Sequence, residues 1–567
     1  MKKEYRILGL IIFVGLFLRL WNITGPDMIG DDAHYSFRAL GWFDYVASEN
    51  LQSTPVSWFP VARWWQYLSF HDHPPLVFLI QFLFFSIFGD SLLVARLPFV
   101  LAGALSIWAI FILAKELWSP RAGLIAAAVL AFSNYSLWLS RFAYLDVWVP
   151  LWTILAIYFF ARANKNSKNY ILWWIFLALG ILTKYTFVFI LPLFFVAIIL
   201  WRKNIWQDKN FYFGLALFIM LVSPLVIYNL AMLKTRGHFD AAVSSAFFMH
   251  PEDFKGLQRT LAEGGFHPKA FFLVLYRNMS LGLQVLIYGS LALLIYVAIK
   301  TRKWQKYYFI FGGLFFAAII LYLTSVGDKY SIIILPFLAL ALSLAVDEIS
   351  KINALLTSYF LLPAFSIILA WEIFFTIQGH IIASPIINNN LLFANNKSEW
   401  QGNNQLEHFV TNFYKQYPDP SYIIFSKNPQ MLAFQVPYLK NILRRPNAPK
   451  QQKHLLLYDD KINWYASMWI FERRRIYDVA AIGKISDFYN LYSALGTKQF
   501  LENGFEDATF IIPTENYLNQ NLTAKPTEEF LNFLDKIKAQ KTLSYIEDIY
   551  GQKVFNVYLL PLKFFNF

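Results

Sequence analysis

The sequence predicts a mainly α-helical, polytopic membrane protein followed by a soluble α/β domain. Three observations predict it. First, the chain is 57% hydrophobic and 19% aromatic but only 15% charged, a balance that a soluble protein of 567 residues does not show. Second, its apolar residues fall in runs of roughly 17–22, the length that crosses a bilayer as a helix. Third, Lys and Arg cluster between those runs, and the composition changes after about residue 378. The net charge of +13 therefore reads as membrane topology and anionic-lipid contact, and argues against a nucleic-acid partner. Cysteine is absent, which removes disulfides, thiolate chemistry and Cys-ligated metals from consideration.

Segment 6–22 is the first span; no small-residue cleavage site follows it, so it is not read as a signal peptide. Segment 23–90 is too polar and broken to cross and forms a first outer loop. It carries an aromatic belt over 54–70 and ends in a run at 75–88, short enough to lie in the interface, with Pro74 and Pro75 at its start. The remaining spans are 94–113, 122–138, 147–162, 170–185, 186–200, 211–229, 280–299, 307–325, 331–346 and 357–377. That makes about eleven transmembrane helices, N-terminus inside and C-terminus outside. The orientation follows from basic inner loops at 2–6, 115–121, 162–168, 202–209 and 300–306; sliding the register by one span puts these clusters outside. The domain boundaries are 1–377 for the membrane domain, 378–396 for an Asn-rich linker, and 397–567 for the soluble domain. The tail alternates short strands (422–425, 454–458, 508–512) with amphipathic stretches such as 527–540.

With this topology the unusual polar residues gather on the outer face. Asp31, Asp32, His34 and Tyr35 follow the first span; His71, Asp72 and His73 close the first outer loop; Arg141 and Asp146 occupy the next outer turn. Lys184 ends an apolar helix, and Asp328, Lys329 and Tyr330 top a later pair. Charges at membrane-helix ends are functional candidates, supplying carboxylates for proton transfer and cations for phosphate. Each has a plainer reading. Asp31 and Asp32 suit capping of a helix that begins near Ala33. Lys184 and Lys329 suit snorkelling to the interface. His71, Asp72 and His73 are metal-ligand types, but alternate residues on an extended segment point apart. Arg38 can pair with Asp31 or face lipid phosphate, and His250 and His267 in the 231–272 loop read as solvated surface.

Taken in order, Gly30-Asp31-Asp32-Ala33-His34-Tyr35, Asp72-His73-Pro74-Pro75-Leu76, Phe88-Gly89-Asp90-Ser91, Arg96-Leu97-Pro98, the run Ser140 to Asp146, and Leu182-Thr183-Lys184-Tyr185 resemble one pattern. It is that of the GT-C polyprenyl-phosphate-sugar glycosyltransferases, in the branch of protein O-mannosyltransferases and the lipid A aminoarabinose transferase. The resemblance covers roughly residues 5–340. It implies the GT-C fold and an inverting transfer of a hexosyl or pentosyl group from a polyprenyl-phosphate donor to an acceptor hydroxyl at the extracytoplasmic face of the cell membrane. Asp31 then corresponds to the general base. The family has Glu where this chain has Asp32, which leaves Asp32 as a rival base. Asp146 corresponds to a supporting acid, His34 and Tyr35 to substrate contacts, and His73, Arg141, Lys184, Lys329 and Tyr330 to a surround for the lipid phosphate. No cofactor and no divalent metal are expected; the partners are the donor, a protein or glycan/lipid acceptor, and membrane lipids. The 231–272 loop is a candidate lid. An oligosaccharyltransferase-like member would place a metal between Asp31 and Asp146, and Asp72-His73-Pro74-Pro75 points away from it. The second reading is a multi-span lipid or solute transporter or flippase. The chain lacks the duplicated hydropathy and paired broken helices that this reading calls for.

Overall fold

Hydrophobic runs without charge become helices, because only intrahelical hydrogen bonds satisfy the backbone in lipid. Each of the eleven apolar segments is helical in the computed structural model of the protein, which describes residues 3–41, 72–249, 251, 268–324, 327–382, 399–416, 453–477, 480–502, 504–518, 520 and 526–565. The aromatic belt at 54–70, His71, His250, His267, the 252–267 part of the 231–272 lid, the Asn-rich stretch 388–396 and the strand at 422–425 lie outside the described residues.

Two compact units divide the chain: residues 1–23 with 44–395, and residues 24–43 with 396–567. The first is the helical unit. Its segments run Lys3–Leu20, Leu92–Leu117, Pro120–Phe132, Leu145–Arg162, Asn169–Thr183, Tyr185–Trp201, Lys209–Arg236, Leu281–Thr301, Tyr308–Thr324, Tyr330–Ile352 and Ala354–Ile381. Among the described residues, six of these helices are long and apolar enough to cross a membrane, and others are shorter apolar helices of 10–17 residues. The interfacial run is a helix, Leu76–Phe88, that follows Pro75. Serines set several starts. Ser91, Ser119 and Ser280 accept from the N–H groups of Val94, Ala122 and Leu283, with Pro120 just inside its helix.

Burial sorts centre from rim. Over the most apolar 18 residues of helix Tyr330–Ile352, 89% of the residues are buried, against 22% for Lys209–Lys234, which presents Phe213, Ile219, Met220, Ile227 and Leu230 outward. An apolar helix that leaves such side chains uncovered suits a lipid-facing position. Helices Leu92–Leu117 and Pro120–Phe132 pack closely at Gly123, where a Cβ would sit 2.7 Å from the Phe111 carbonyl oxygen. A small residue there lets the backbones approach.

Among the described residues the second unit holds a five-stranded sheet, in the order Ile482–Lys484 (β2), Lys453–Tyr458 (β1), Phe505–Pro513 (β3), Lys553–Pro561 (β5) and Ser544–Glu547 (β4). β1 (Lys453–Tyr458) pairs in parallel with β2 (Ile482–Lys484) and β3 (Phe505–Pro513). β5 (Lys553–Pro561) pairs antiparallel with β3 and with β4 (Ser544–Glu547). Helices Ile485–Leu495 and Glu528–Lys538 cover one face, with Leu455, Leu457, Phe488, Phe510, Phe533, Ile537, Tyr558 and Phe565 between the layers. The other face is buried as well: the Tyr458 and Phe471 rings stack at 4.1 Å. Two covered faces explain why the central strands read as short apolar runs.

One boundary differs from the sequence reading. Segment 24–43 groups with the C-terminal unit rather than with the membrane helices. The cause is local. The backbone N–H of Asp27 donates to the Glu399 carbonyl at 2.7 Å, and its carboxylate accepts from the N–H groups of Gln401 (2.6 Å) and Asn404 (2.9 Å). The last membrane helix also runs on to Ile381, past the expected end at 377.

Candidate active site

The acid pair sits inside a helix. Gly30, at φ +57°, opens helix Gly30–Gly41, which therefore starts three residues before Ala33. Asp31 and Asp32 occupy its first turn, where unsatisfied N–H groups favour carboxylates. Successive helical residues point about 100° apart, so the two acids face different surroundings. Asp32 is fully buried, alongside buried Ala33, Ser36, Phe37 and Arg38. Asp31 is half-buried, and the Tyr35 hydroxyl, one turn on, donates to its Oδ2 at 3.0 Å. The His34 ring lies 5.7 Å from that of Tyr35 and 6.3 Å from that of Tyr465. Asp31 is thus the more exposed member of the pair, with its carboxylate oriented by Tyr35.

In the helical unit a second cluster forms where three helices break. Lys184 follows helix Asn169–Thr183 in extended conformation, which turns its side chain off the helix. Its ammonium donates to both carboxylate oxygens of Asp146 at 2.6 Å, and Asp146 lies in the single 3-10 turn Leu145–Val147. The pair is almost wholly buried. The Lys184 Nζ also stands 4.5 Å from the centre of the Tyr330 ring, with Lys329 Nζ 5.0 Å from the same ring. Asp328 next to them accepts from the Asn278 amide at 2.9 Å, and its carbonyl accepts from the Tyr135 hydroxyl. Asp146, Lys184, Lys329 and Tyr330 are thus brought together; Tyr135 and Asn278 join them with no motif to announce them.

The next residue ties in a further acid. The Tyr185 hydroxyl donates to Asp240, which also accepts from the Asn229 amide and the Val243 N–H, both at 2.8 Å. Burial pushes the Asp240 carboxyl up against those hydrogen bonds. Consecutive residues Lys184 and Tyr185 therefore hold two carboxylates from different segments. His73 pairs with Asp72 at 2.9 Å.

Arg141 is placed otherwise than as a phosphate ligand. Its buried guanidinium donates to the carbonyls of Leu18, Arg19, Trp21 and Asn22 at 2.7–3.1 Å, closing the C-terminal end of the first helix. Orphan carbonyls at a helix end favour a cation there. Arg19 does the same for helix Pro120–Phe132 through the carbonyls of Leu130 (2.8 Å) and Ala131 (3.1 Å).

Comparison with known proteins bears on the whole arrangement. The family model for dolichyl-phosphate-mannose-protein mannosyltransferase matches residues 72–228. No curated protein matches the chain by sequence. Among solved structures, ArnT from Cupriavidus metallidurans in the apo state aligns over 98% of this chain and 97% of its own, at 12% identity and a TM-score of 0.52. The chain has the GT-C fold. The structure of ArnT bound to undecaprenyl phosphate aligns equally well, over 97% of each chain at 13% identity and a TM-score of 0.52. Within this GT-C fold the matched segment 72–228 contains His73, Arg141, Asp146 and Lys184. Asp31 and Asp32 precede it, so their assignment rests on the acid-pair pattern and on the geometry of helix Gly30–Gly41. The Archaeoglobus fulgidus oligosaccharyltransferase aligns over 90% of this chain and 69% of its own, at 13% identity and a TM-score of 0.47.

Proposed function

We propose that the protein is a membrane glycosyltransferase that moves a sugar from a polyprenyl phosphate to an acceptor hydroxyl at the extracytoplasmic face. The observation that carries this reading is the chemistry of Asp31: a reachable, oriented carboxylate in a chain of GT-C fold. Asp31 takes the acceptor hydroxyl proton as the oxygen attacks the anomeric carbon. The bond from that carbon to the phosphate oxygen breaks, its electron pair leaves with the polyprenyl phosphate, and the anomeric centre inverts. Asp32, being buried, supports the helix turn rather than competing for the proton.

Within the helical unit, Lys184 and Lys329, both beside the Tyr330 ring, supply positive charge of the kind a lipid phosphate leaving group calls for. Asp146 holds Lys184 in place: two of the three ammonium protons are committed to it, so Lys184 acts as a fixed donor rather than a mobile charge. Arg141, committed to backbone carbonyls, is left out of phosphate binding, and His34 and Tyr35 flank the acceptor side of Asp31. A monophosphate leaving group carries less charge to neutralise than a diphosphate, so the displacement requires no divalent metal. Undecaprenyl phosphate, the ligand of the ArnT structure that shares this fold, is of the donor class proposed.

Sidedness has a direct test, because a chain without cysteine gives single-cysteine variants that report only their own position. In intact cells or oriented vesicles, Lys303→Cys is expected to resist a membrane-impermeant thiol reagent until the membrane is opened. Lys498→Cys, an exposed residue of the C-terminal unit, is expected to react at once. The opposite labelling pattern would place the site inside. Breakage of the sugar–phosphate bond, rather than passage of an intact lipid, separates this reading from a transporter.

A further inference from the structure

Asp27, four residues before Asp31, does more than join the first membrane helix to the acid helix. Its Oδ1 accepts from the Asn404 N–H at 2.9 Å, and its Oδ2 accepts from the Gln401 N–H at 2.6 Å and the Asn403 amide at 3.2 Å. Residue 27 thereby caps the N-terminus of helix Asn403–Gln416 across a separation of 377 positions. Asn404 returns the grip: its amide donates to the carbonyls of Thr24 (2.8 Å), Gly25 (3.0 Å) and Pro26 (2.7 Å), and its carbonyl accepts from the Met28 N–H at 3.3 Å. The chain around Asn404 is itself braced. Gly402 turns at φ +86°, where a Cβ would lie 2.6 Å from the Val554 side chain. The Tyr517 hydroxyl donates to the side-chain Oδ1 of Asn403 at 3.0 Å, and the Leu518 N–H to the side-chain Oε1 of Gln401 at 3.0 Å.

The second turn of the same helix completes a frame. Glu407 pairs with Arg473 at 2.5 Å and Arg474 at 2.7 Å. Arg473 lies over the Trp469 ring at 4.2 Å, and the segment Trp464–Glu472 packs directly on helix Gly30–Gly41. Helix Gly30–Gly41 is thus clamped at its entry by residues 399–404 and along its side by residues 464–472, all within one compact unit. Asp27 is wholly buried, and burial pushes its carboxyl up to about 6 against the hydrogen bonds it accepts.

Resting on the transferase reading above, we propose that the C-terminal unit is part of the catalytic apparatus, with Asp27 and Asn404 as positioning residues that hold the Asp31 helix in its working orientation. A soluble domain that only captured acceptor has no need to grip the entry to the acid helix with eight hydrogen bonds; a domain that aims the base does. Misplacement of a catalytic group by about an ångström is enough to lower turnover by orders of magnitude without loosening substrate.

The test uses the full-length protein in nanodiscs, with Asn404→Ala, Asp27→Ala and the conservative Asp27→Glu. Each is read by hydrogen exchange over residues 30–41 and by steady-state transfer from a labelled polyprenyl-phosphate sugar. The expected result for both alanine variants is amide exchange in 30–41 faster by about tenfold or more while the membrane helices stay protected. With it goes a fall in kcat of about tenfold or more at unchanged KM for the donor. Asp27→Glu, which retains the carboxylate, recovers part of both. Unchanged exchange over 30–41 overturns the clasp, and faster exchange with unchanged kcat overturns the positioning role. If the unaltered protein transfers no sugar, the transferase reading fails on its own account, while the exchange result still decides whether the clasp holds the helix.

Discussion

Asp31→Asn is expected to lower kcat for sugar transfer by about 10²–10⁴, the range that general-base removal produces, with the KM for the donor little changed. The amide keeps the size of the carboxylate and still accepts from the Tyr35 hydroxyl, 3.0 Å away in the native helix, so folding is preserved. Tyr35→Phe, which releases the carboxylate from that hydrogen bond, is expected to cost far less. Asp32→Asn reports on something else. It alters a fully buried side chain, so its effect is expected first in thermal stability and only through that in turnover. Steady-state kinetics on the three variants, beside a melting curve for each, separates the base from its supports. Near-native turnover by Asp31→Asn would move the base elsewhere.

Lys184→Ala has the largest expected effect on stability. It leaves the Asp146 carboxylate buried at the break between helices without the ammonium that now donates to both its oxygens at 2.6 Å. Removing one partner of a buried pair costs about 3–5 kcal/mol, because the remaining charge has nowhere to be solvated. The double variant Lys184→Met with Asp146→Leu removes both charges and is expected to recover much of that loss, since a desolvated pair is often little better than apolar replacements. It is not expected to recover transfer, for the phosphate then faces no fixed cation from this position. Thermal melts in detergent together with transfer rates check both halves. Equal stability of the Lys184→Ala variant and the native protein would mean that the ion pair contributes little.

Much of this was legible in the residues. The apolar segments announced themselves by length, because a helix that crosses lipid tolerates few charges and so leaves an uninterrupted run. β1 and β3 were legible for a related reason: covered on both faces, they keep continuous apolar stretches at 454–458 and 508–512. β2, three residues long, and the edge strand β4 carry no such signal. The gathering of Asp146, Lys184, Lys329 and Tyr330 followed from placing breaks in the helices on one side. Arg141 did not follow, because a cation capping a buried helix end and a cation aimed at a ligand look alike in one dimension. The resemblance named Asp31 as the base and left Asp32 as a rival; their different surroundings became visible only in the helix that begins at Gly30, where Asp32 is buried and Asp31 is not. The union of segment 24–43 with the C-terminal unit was hidden for a simpler reason: hydrogen bonds between Asp27 and residues 399–404 leave no periodicity in either segment.

The central claim is that a sugar–phosphate bond is broken, and one measurement addresses it most directly. Purified protein in proteoliposomes is given polyprenyl-phosphate sugars labelled separately in the sugar and in the lipid, together with an acceptor-containing envelope extract. Sugar label is expected to pass to the acceptor while an equal amount of lipid label is recovered as polyprenyl phosphate, and Asp31→Asn is expected to stop both. Intact donor moving across the bilayer with both labels still joined would contradict it.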